Sequence, residues 1–441
     1  MSAAGKLVKE GVEALVDLAA KKTTKKAAPK AATKAAKPRA PAVVMKRAGP
    51  GEDVLQFAAK KPKGTPSFAD WRKKNEGELG TLFDYSRLSD VPNVPQHQIP
   101  RYTPARGPSE RIVEALARPE VAKGINETVE RGVEGGGREW YNTEPLYERM
   151  RAVAGETDAP SQYAGLMDIV AATSPRSKVM DNIRTASYYN YLRNQGLPVP
   201  EAPAKGYGSV AQKLHAQNVQ GLEDIGGWDI FRNPKPASFS SNLQGNQEVA
   251  TIDTHNFRLP GILSQDPRFL ETSIAELADD PERAKAALLR HYPGLPEDIA
   301  AGAVKTKAPG KYSVTYRPQE WAEKGYITPE EAAGDPALWA SKPRENEYGY
   351  YETWQQDQAR KMGLSPAQYQ ASMWLGGGED TGLGSTAEPF LKSVEARVRY
   401  TADLLGMTPD EVLENMLRGS MPLLAKGGAV DKEELYGKYA D

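Results

Sequence analysis

The stretch Asn233–Leu259, NPKPASFSSNLQGNQEVATIDTHNFRL, constrains this chain more than any other. A largely apolar run, Val249 to Ile252, ends abruptly in three polar residues, Asp253, Thr254 and His255. Polar groups that follow a buried run must be hydrogen-bonded, exposed at a site, or capping a helix. Upstream the pattern predicts a short helix. Pro236 suits its first position, where a missing N–H costs nothing. Ala237, Phe239, Ser240 and Leu243 then share one face, and Gly245–Asn246 punctuates the end. The stretch holds one lysine, Lys235, and one aspartate, Asp253, 18 residues apart.

The string IDTHNFRL resembles the VDTHxxRV string of the helix-hairpin-helix DNA glycosylases, the endonuclease III group. The resemblance implies an all-α, two-lobed core over about residues 111–300. It also implies an essential carboxylate at Asp253 and, as in bifunctional members, a lysine nucleophile at Lys235. In that chemistry the carboxylate activates the attacking group or stabilises positive charge on the sugar. A lysine amine attacks C1′ and forms a Schiff base, which permits strand cleavage. The amine must be neutral to attack, so burial or a helix N-terminus has to lower its pKa. His255 and Arg258 of the same string are candidate substrate contacts. Other readings of these residues stay open: a surface lysine beside a helix start, an aspartate serving as N-cap, and a packed histidine.

A second stretch, QYAGLMDIVAATSPRSKVMDNIRTASYYNYLRN at 162–194, is similar to the helix–turn–helix that lies near the flipped base in that family. Leu166, Ile169 and Val170 predict a buried helix ending at Thr173-Ser174-Pro175. Val179, Ile183 and Ala186 share a face of the next helix. Ser174, Arg176 and Asn182 are the polar candidates for substrate binding. The family's usual glutamine is not evident here, and the same pattern also describes an ordinary helical corner. The larger departure precedes Lys235. The family's hairpin, L-P-G-V-G-x-K, uses two glycines to approach a DNA phosphate. Here Phe231 and Asn233 stand at those positions, and Gly226-Gly227 lie out of register. The hairpin is missing or rebuilt.

Charge is unevenly spread along the 441 residues although the formal net charge is only −1. Lys21, Lys22, Lys25, Lys26, Lys30, Lys34, Lys37, Arg39, Lys46 and Arg47 occupy a segment without acidic residues. Such an Ala/Pro-rich basic arm is expected to be disordered, and to bind nucleic acid or serve as a solubilising tail. The chain has no cysteine, so thiol catalysis, disulfides, thiolate metal sites and an iron–sulfur cluster are excluded. Its four histidines are scattered, so no histidine metal site and no cofactor are expected. No apolar run is long enough to span a bilayer.

In chain order the expectation is an amphipathic helix over 6–20, then the basic arm to 50 and an extended Pro-rich connector over 51–110. A short helix near Ser67 to Lys74 interrupts that connector. Gly135-Gly136-Gly137 lacks a phosphate-loop lysine and reads as a turn before a helix from Glu144 to Val153. Helices are expected over 273–292 and 296–304, and a strand or loop over Lys305 to Tyr316. Further helices over 345–375 and 388–418 fall within an additional helical region, 301–425, followed by a flexible tail, 426–441. The leading function is a DNA base-processing N-glycosylase with abasic-site lyase activity. The alternatives are a phage thymine-hypermodification enzyme on the same fold, and a non-catalytic DNA-binding or virion-internal protein. A tailed-phage source, with the protein in the host cytoplasm or the virion, suits the layout and the short charged tail.

Overall fold

Prolines and small polar caps set most helix starts in the computed structural model, which describes residues 67–83, 107–200, 207, 211–228, 233–270, 274–308, 310–334, 339–340, 342–378, 380–382, 389–420 and 422–423. In chain order the elements are α1 (Phe68–Lys74), α2 (Glu110–Ala117), α3 (Pro119–Glu134), α4 (Glu144–Ala154), α5 (Ala159–Ala172), α6 (Val179–Asn194), α7 (Gln212–Ile225), α8 (Pro234–Leu243), α9 (Thr254–Ser264), β1 (Ile274–Ala278), α10 (Pro281–His291), α11 (Glu297–Ala303), β2 (Val304–Ala308), β3 (Lys311–Tyr316), α12 (Pro318–Glu323), α13 (Pro329–Gly334), α14 (Glu345–Lys361), α15 (Pro366–Gly376), α16 (Phe390–Leu405) and α17 (Pro409–Leu417). Ser365 and Thr408 start α15 and α17 as capping boxes, each accepting from the backbone N–H three residues on.

The protein is mostly helical, and its apolar side chains collect in separate clusters. The largest joins α4 to α8 with α16 and α17, through residues such as Tyr163, Leu166, Ile183, Leu243, Val398 and Leu413. A second joins α2, α3, α9 and α14, through Ile112, Ile125, Phe257, Leu259 and Tyr351. Helix α15 serves both: Ala367 and Ala371 enter the first cluster, Tyr369 and Met373 the second. Inside the second cluster a buried ion pair holds α2 to α14. Arg111 donates to both Glu347 oxygens at 2.7 and 2.8 Å and to the Arg268 carbonyl at 2.9 Å.

Helices α3 and α15 cross with backbones in direct contact. A Cβ on Gly132 would stand 1.8 Å from the Ser372 carbonyl oxygen, and one on Gly376 1.9 Å from that of Thr128. Only glycine permits this approach.

The mostly helical structure agrees with the all-α expectation, to which it adds one small three-stranded antiparallel sheet, ordered β1-β3-β2. Ile274 pairs with Tyr316 and Ala278 with Tyr312, while Val304 pairs with Val314. Gly310, with φ 76°, lies between β2 and β3. Residues 274–278, IAELA, are good helix formers, which is why a helix over 273–292 was expected. Ladder pairing along β3 overrides that local preference. The sheet and α10 to α13 build a third cluster containing Leu288, Tyr292, Val314, Tyr316 and Trp321.

Two local expectations also change. Helix α8 begins at Pro234, so Pro236 occupies the third position, where its missing N–H is likewise one of the unpaired first four. The helix is buried all round from Pro236 to Leu243, with Ser238, Ser240, Ser241 and Asn242 inside, and has no exposed face there. Helices α14 to α17 contribute side chains to the first two clusters. The amphipathic helix over 6–20, the basic arm, the tail and Phe231 of the altered hairpin lie outside the described residues.

The glycine crossing is testable by substitution. Gly132→Ala forces a methyl against a backbone carbonyl and should cost about 3 kcal/mol in urea unfolding. Gly221→Ala on α7 meets nothing within 4 Å, and should be neutral or stabilising by up to about 1 kcal/mol. Equal effects of the two would show that the α3–α15 contact is not tight.

Candidate functional site

Lys235 and Asp253 both stand at helix N-termini. Lys235 is the second residue of α8, in the first cluster, and Asp253 is the N-cap of α9, in the second. Lys235 Nζ donates to the Ser174 hydroxyl at 2.8 Å and lies 4.7 Å from the Phe239 ring centroid. The residue as a whole is half-buried, but its ammonium end is enclosed. Burial lowers its pKa to about 8, against the opposing pull of the Asp253 charge. The two side chains are therefore electrostatic neighbours, with Ser174 beside the amine.

Asp253 acts as a cap. Its Oδ1 accepts from the backbone N–H groups of His255 and Asn256, each at 2.9 Å. Among the described residues its Oδ2 receives no hydrogen bond. Capping thus occupies one oxygen of the carboxylate and not the other. The Asp253 charge is also felt by buried phenols. Burial raises both the Tyr141 and the Tyr351 hydroxyl, hydrogen bonding opposes it, and Asp253 adds to the rise.

The segment delivering Asp253 is fastened from both sides. From α8, Asn242 Nδ2 donates to the Asn246 and Val249 carbonyls at 2.8 and 2.9 Å, and Thr251 Oγ1 donates to Asn242 Oδ1 at 2.7 Å. From α14, Glu352 accepts from the Ala250 N–H at 3.0 Å, and the Tyr348 hydroxyl accepts from the Ile252 N–H at 3.1 Å. Gln370 of α15 accepts from the Tyr141 hydroxyl at 2.8 Å. These positioning residues have no role in the sequence analysis. The signal available was the spacing of Tyr348 and Glu352, one helical turn apart on one face.

The aromatic floor beneath the amine was not anticipated either. The Phe239 ring packs 6.0 Å from Trp140 and 6.2 Å from Tyr141, and Trp140 meets Trp374 edge-on at 5.3 Å.

The other sequence candidates take different places. Ser174 joins Lys235 directly. Asn182 is buried, accepting from Thr173 Oγ1 at 2.6 Å and donating to the Val170 carbonyl at 2.9 Å. It holds the end of α5 from which Ser174 projects, so its amide is spent on structure and not on a substrate. His215 Nε2 meets the Pro175 carbonyl at 2.7 Å in the same turn. Arg176 is exposed, with a left-handed φ of 57°. His255 and Arg258 turn to the segment after α15. His255 Nδ1 lies 3.2 Å from Thr381 Oγ1, and Arg258 donates to the Thr381 and Trp339 carbonyls at 3.1 and 3.3 Å. Burial lowers the His255 pKa against the Asp253 charge. The arm residues Lys21, Lys22, Lys25, Lys26, Lys30, Lys34, Lys37 and Arg39 lie outside the described residues.

Among the described residues no cluster of histidine and carboxylate side chains is arranged to hold a metal ion, and no helix is long and apolar enough to cross a membrane. No family model, curated protein or solved structure matches the chain.

Substitution separates the two duties of Asp253. Asp253→Asn retains a capping oxygen and should cost less than about 1 kcal/mol, whereas Asp253→Ala should cost about 1–2 kcal/mol. Thermal unfolding of both proteins checks this; equal losses would show that capping is not what the side chain supplies.

Proposed function

We propose that this chain is a DNA base-processing enzyme, an N-glycosylase with abasic-site lyase activity, in which Lys235 is the nucleophile and Asp253 the charge stabiliser. One observation carries the reading: the Lys235 amine is held between the Ser174 hydroxyl and the Phe239 ring at one helix N-terminus, where burial lowers its pKa to about 8 and the charge of Asp253, at another helix N-terminus, is felt. Enclosing an ammonium with few partners costs stability, and such groups cluster at sites that use them. At neutral pH roughly one amine in ten is then neutral.

The reaction follows from the groups present. The base must first leave its stack to be reached, and the Lys235 amine, which lies against the buried Phe239 ring, is the group that would meet the sugar. As the C1′–N bond breaks, the departing base carries its electron pair away and the sugar becomes positive. The Asp253 carboxylate opposes that charge. The neutral Lys235 amine forms the new C1′–N bond and gives up a proton, which balances the one taken up by the departed base. The nitrogen lone pair then expels the ring oxygen, which leaves as a hydroxyl on taking a proton from water, and the protonated Schiff base remains. Ser174, which accepts from the ammonium, fixes the direction of the amine.

Borohydride trapping on strands carrying abasic sites and modified bases tests the reading. The trapping rate should rise about tenfold per pH unit and level off near pH 8. Lys235→Gln should abolish trapping yet leave some base release by water. Asp253→Asn should lower both about a hundred- to a thousandfold while retaining strand binding. No trapped product on any strand would remove Lys235 as nucleophile, and full base release by Asp253→Asn would reduce the carboxylate to a cap.

A further inference from the structure

Arg184 of α6 and Arg397 of α16 are two guanidiniums that approach the same carboxylate oxygen. Arg397 Nη2 donates to Asp181 Oδ1 at 3.0 Å, and Arg184 Nη1 lies 3.4 Å from that atom. Their side chains are only 2% and 5% exposed, whereas that of Asp181 is 32% exposed. Arg397 Nε donates to the Met180 carbonyl at 3.0 Å, and its Cζ lies 3.7 Å from the Phe68 ring centroid. Two buried donors, Arg184 Nε and Arg397 Nη1, have no acceptor, and Arg184 Nη1 reaches Asp181 only as an ion pair without a hydrogen bond. Ser393, one turn before Arg397 on α16, also has a buried hydroxyl without a partner.

The charges do not balance. Among the described residues, Arg184 and Arg397 set two positive groups against the one carboxylate of Asp181. Two buried guanidiniums sharing one carboxylate are costly unless every donor is met, and buried donors without acceptors call for an explanation such as a bound ion. Burial and the Arg184 charge lower the Arg397 pKa to about 10. A second anion beside Asp181 would reverse that repulsion.

We propose that Arg184 and Arg397 form a binding site for a phosphate group, entered past the exposed side of Asp181. The unmet donors belong to guanidiniums on two different helices, so an oxyanion with several acceptor oxygens can meet them together. The group is an inorganic phosphate or the terminal phosphate of a nucleotide. The site is independent of the Lys235 chemistry and stands or falls separately from it.

The test compares phosphate with chloride at equal ionic strength, by thermal unfolding and by titration calorimetry on the full chain. Wild type and Lys235→Gln should both be stabilised by several degrees in millimolar phosphate, because a ligand that binds only the folded state raises Tm. Arg184→Met and Arg397→Met should lose that response. Asp181→Asn, which removes the competing charge, should bind phosphate several-fold more tightly, and it decides the matter if the arginine variants do not fold. A terminally phosphorylated dinucleotide and its hydroxyl-ended counterpart distinguish the two sources. Tighter binding of the phosphorylated form than of inorganic phosphate assigns the site to a nucleotide; the reverse assigns it to the free ion. Identical unfolding in phosphate and chloride, a full response in Arg184→Met, or unchanged affinity in Asp181→Asn would overturn the proposal.

Discussion

The backbone contact between α3 and α15 is the constraint on which the arrangement depends. Helix α15 contributes side chains to both large apolar clusters, so its rotation and height decide how they meet. Gly132 and Gly376 let it lie directly on α3, with Ser372 and Thr128 carbonyls where side chains would otherwise stand. The same register puts Gln370 between Tyr141 and Asn256, its amide donating to Asn256 Oδ1 at 2.8 Å. Tyr141 belongs to the aromatic floor next to Phe239, and Asn256 is in the first turn of the helix that Asp253 caps. A small change in that crossing would therefore reach the candidate site through two hydrogen bonds.

Polar groups inside this protein are arranged in two ways with different costs. The Arg111–Glu347 pair is closed: the guanidinium meets both carboxylate oxygens and a carbonyl, and Ser109 donates its hydroxyl to the same carboxylate. Burial pushes the Glu347 carboxyl up, but these bonds outweigh it and leave it below its ordinary value. Lys235 is open by comparison. One hydroxyl and one ring face do not replace the water its ammonium loses, so its pKa falls. A satisfied pair secures a fold, whereas an under-satisfied amine holds free energy available to chemistry.

Much of the helical layout was legible. Ser67, Ser365 and the prolines at helix starts mark their elements by local chemistry alone. The turn at Thr173–Pro175 and the helices around it follow from apolar spacing. The pairing of Ser174 with Lys235 is a contact over 61 residues of chain, and only the family resemblance of the two separate stretches hinted at it. The strand Ile274–Ala278 was not legible, because its composition favours a helix and its partner β3 lies some forty residues on.

By itself the sequence determined the helix punctuation, the absence of thiol chemistry and the choice of Lys235 and Asp253 as residues to examine. Each of these depends on residue identity or short-range spacing, which no packing can alter. Only the tertiary structure decided that Asp253 spends one oxygen as a cap, that Asn182 holds a helix end, and that burial lowers the Lys235 pKa. It also brought Arg184 and Arg397 to one carboxylate across more than two hundred residues. Desolvation and hydrogen-bond satisfaction are properties of a surrounding shell, and that shell is assembled from segments far apart in the chain.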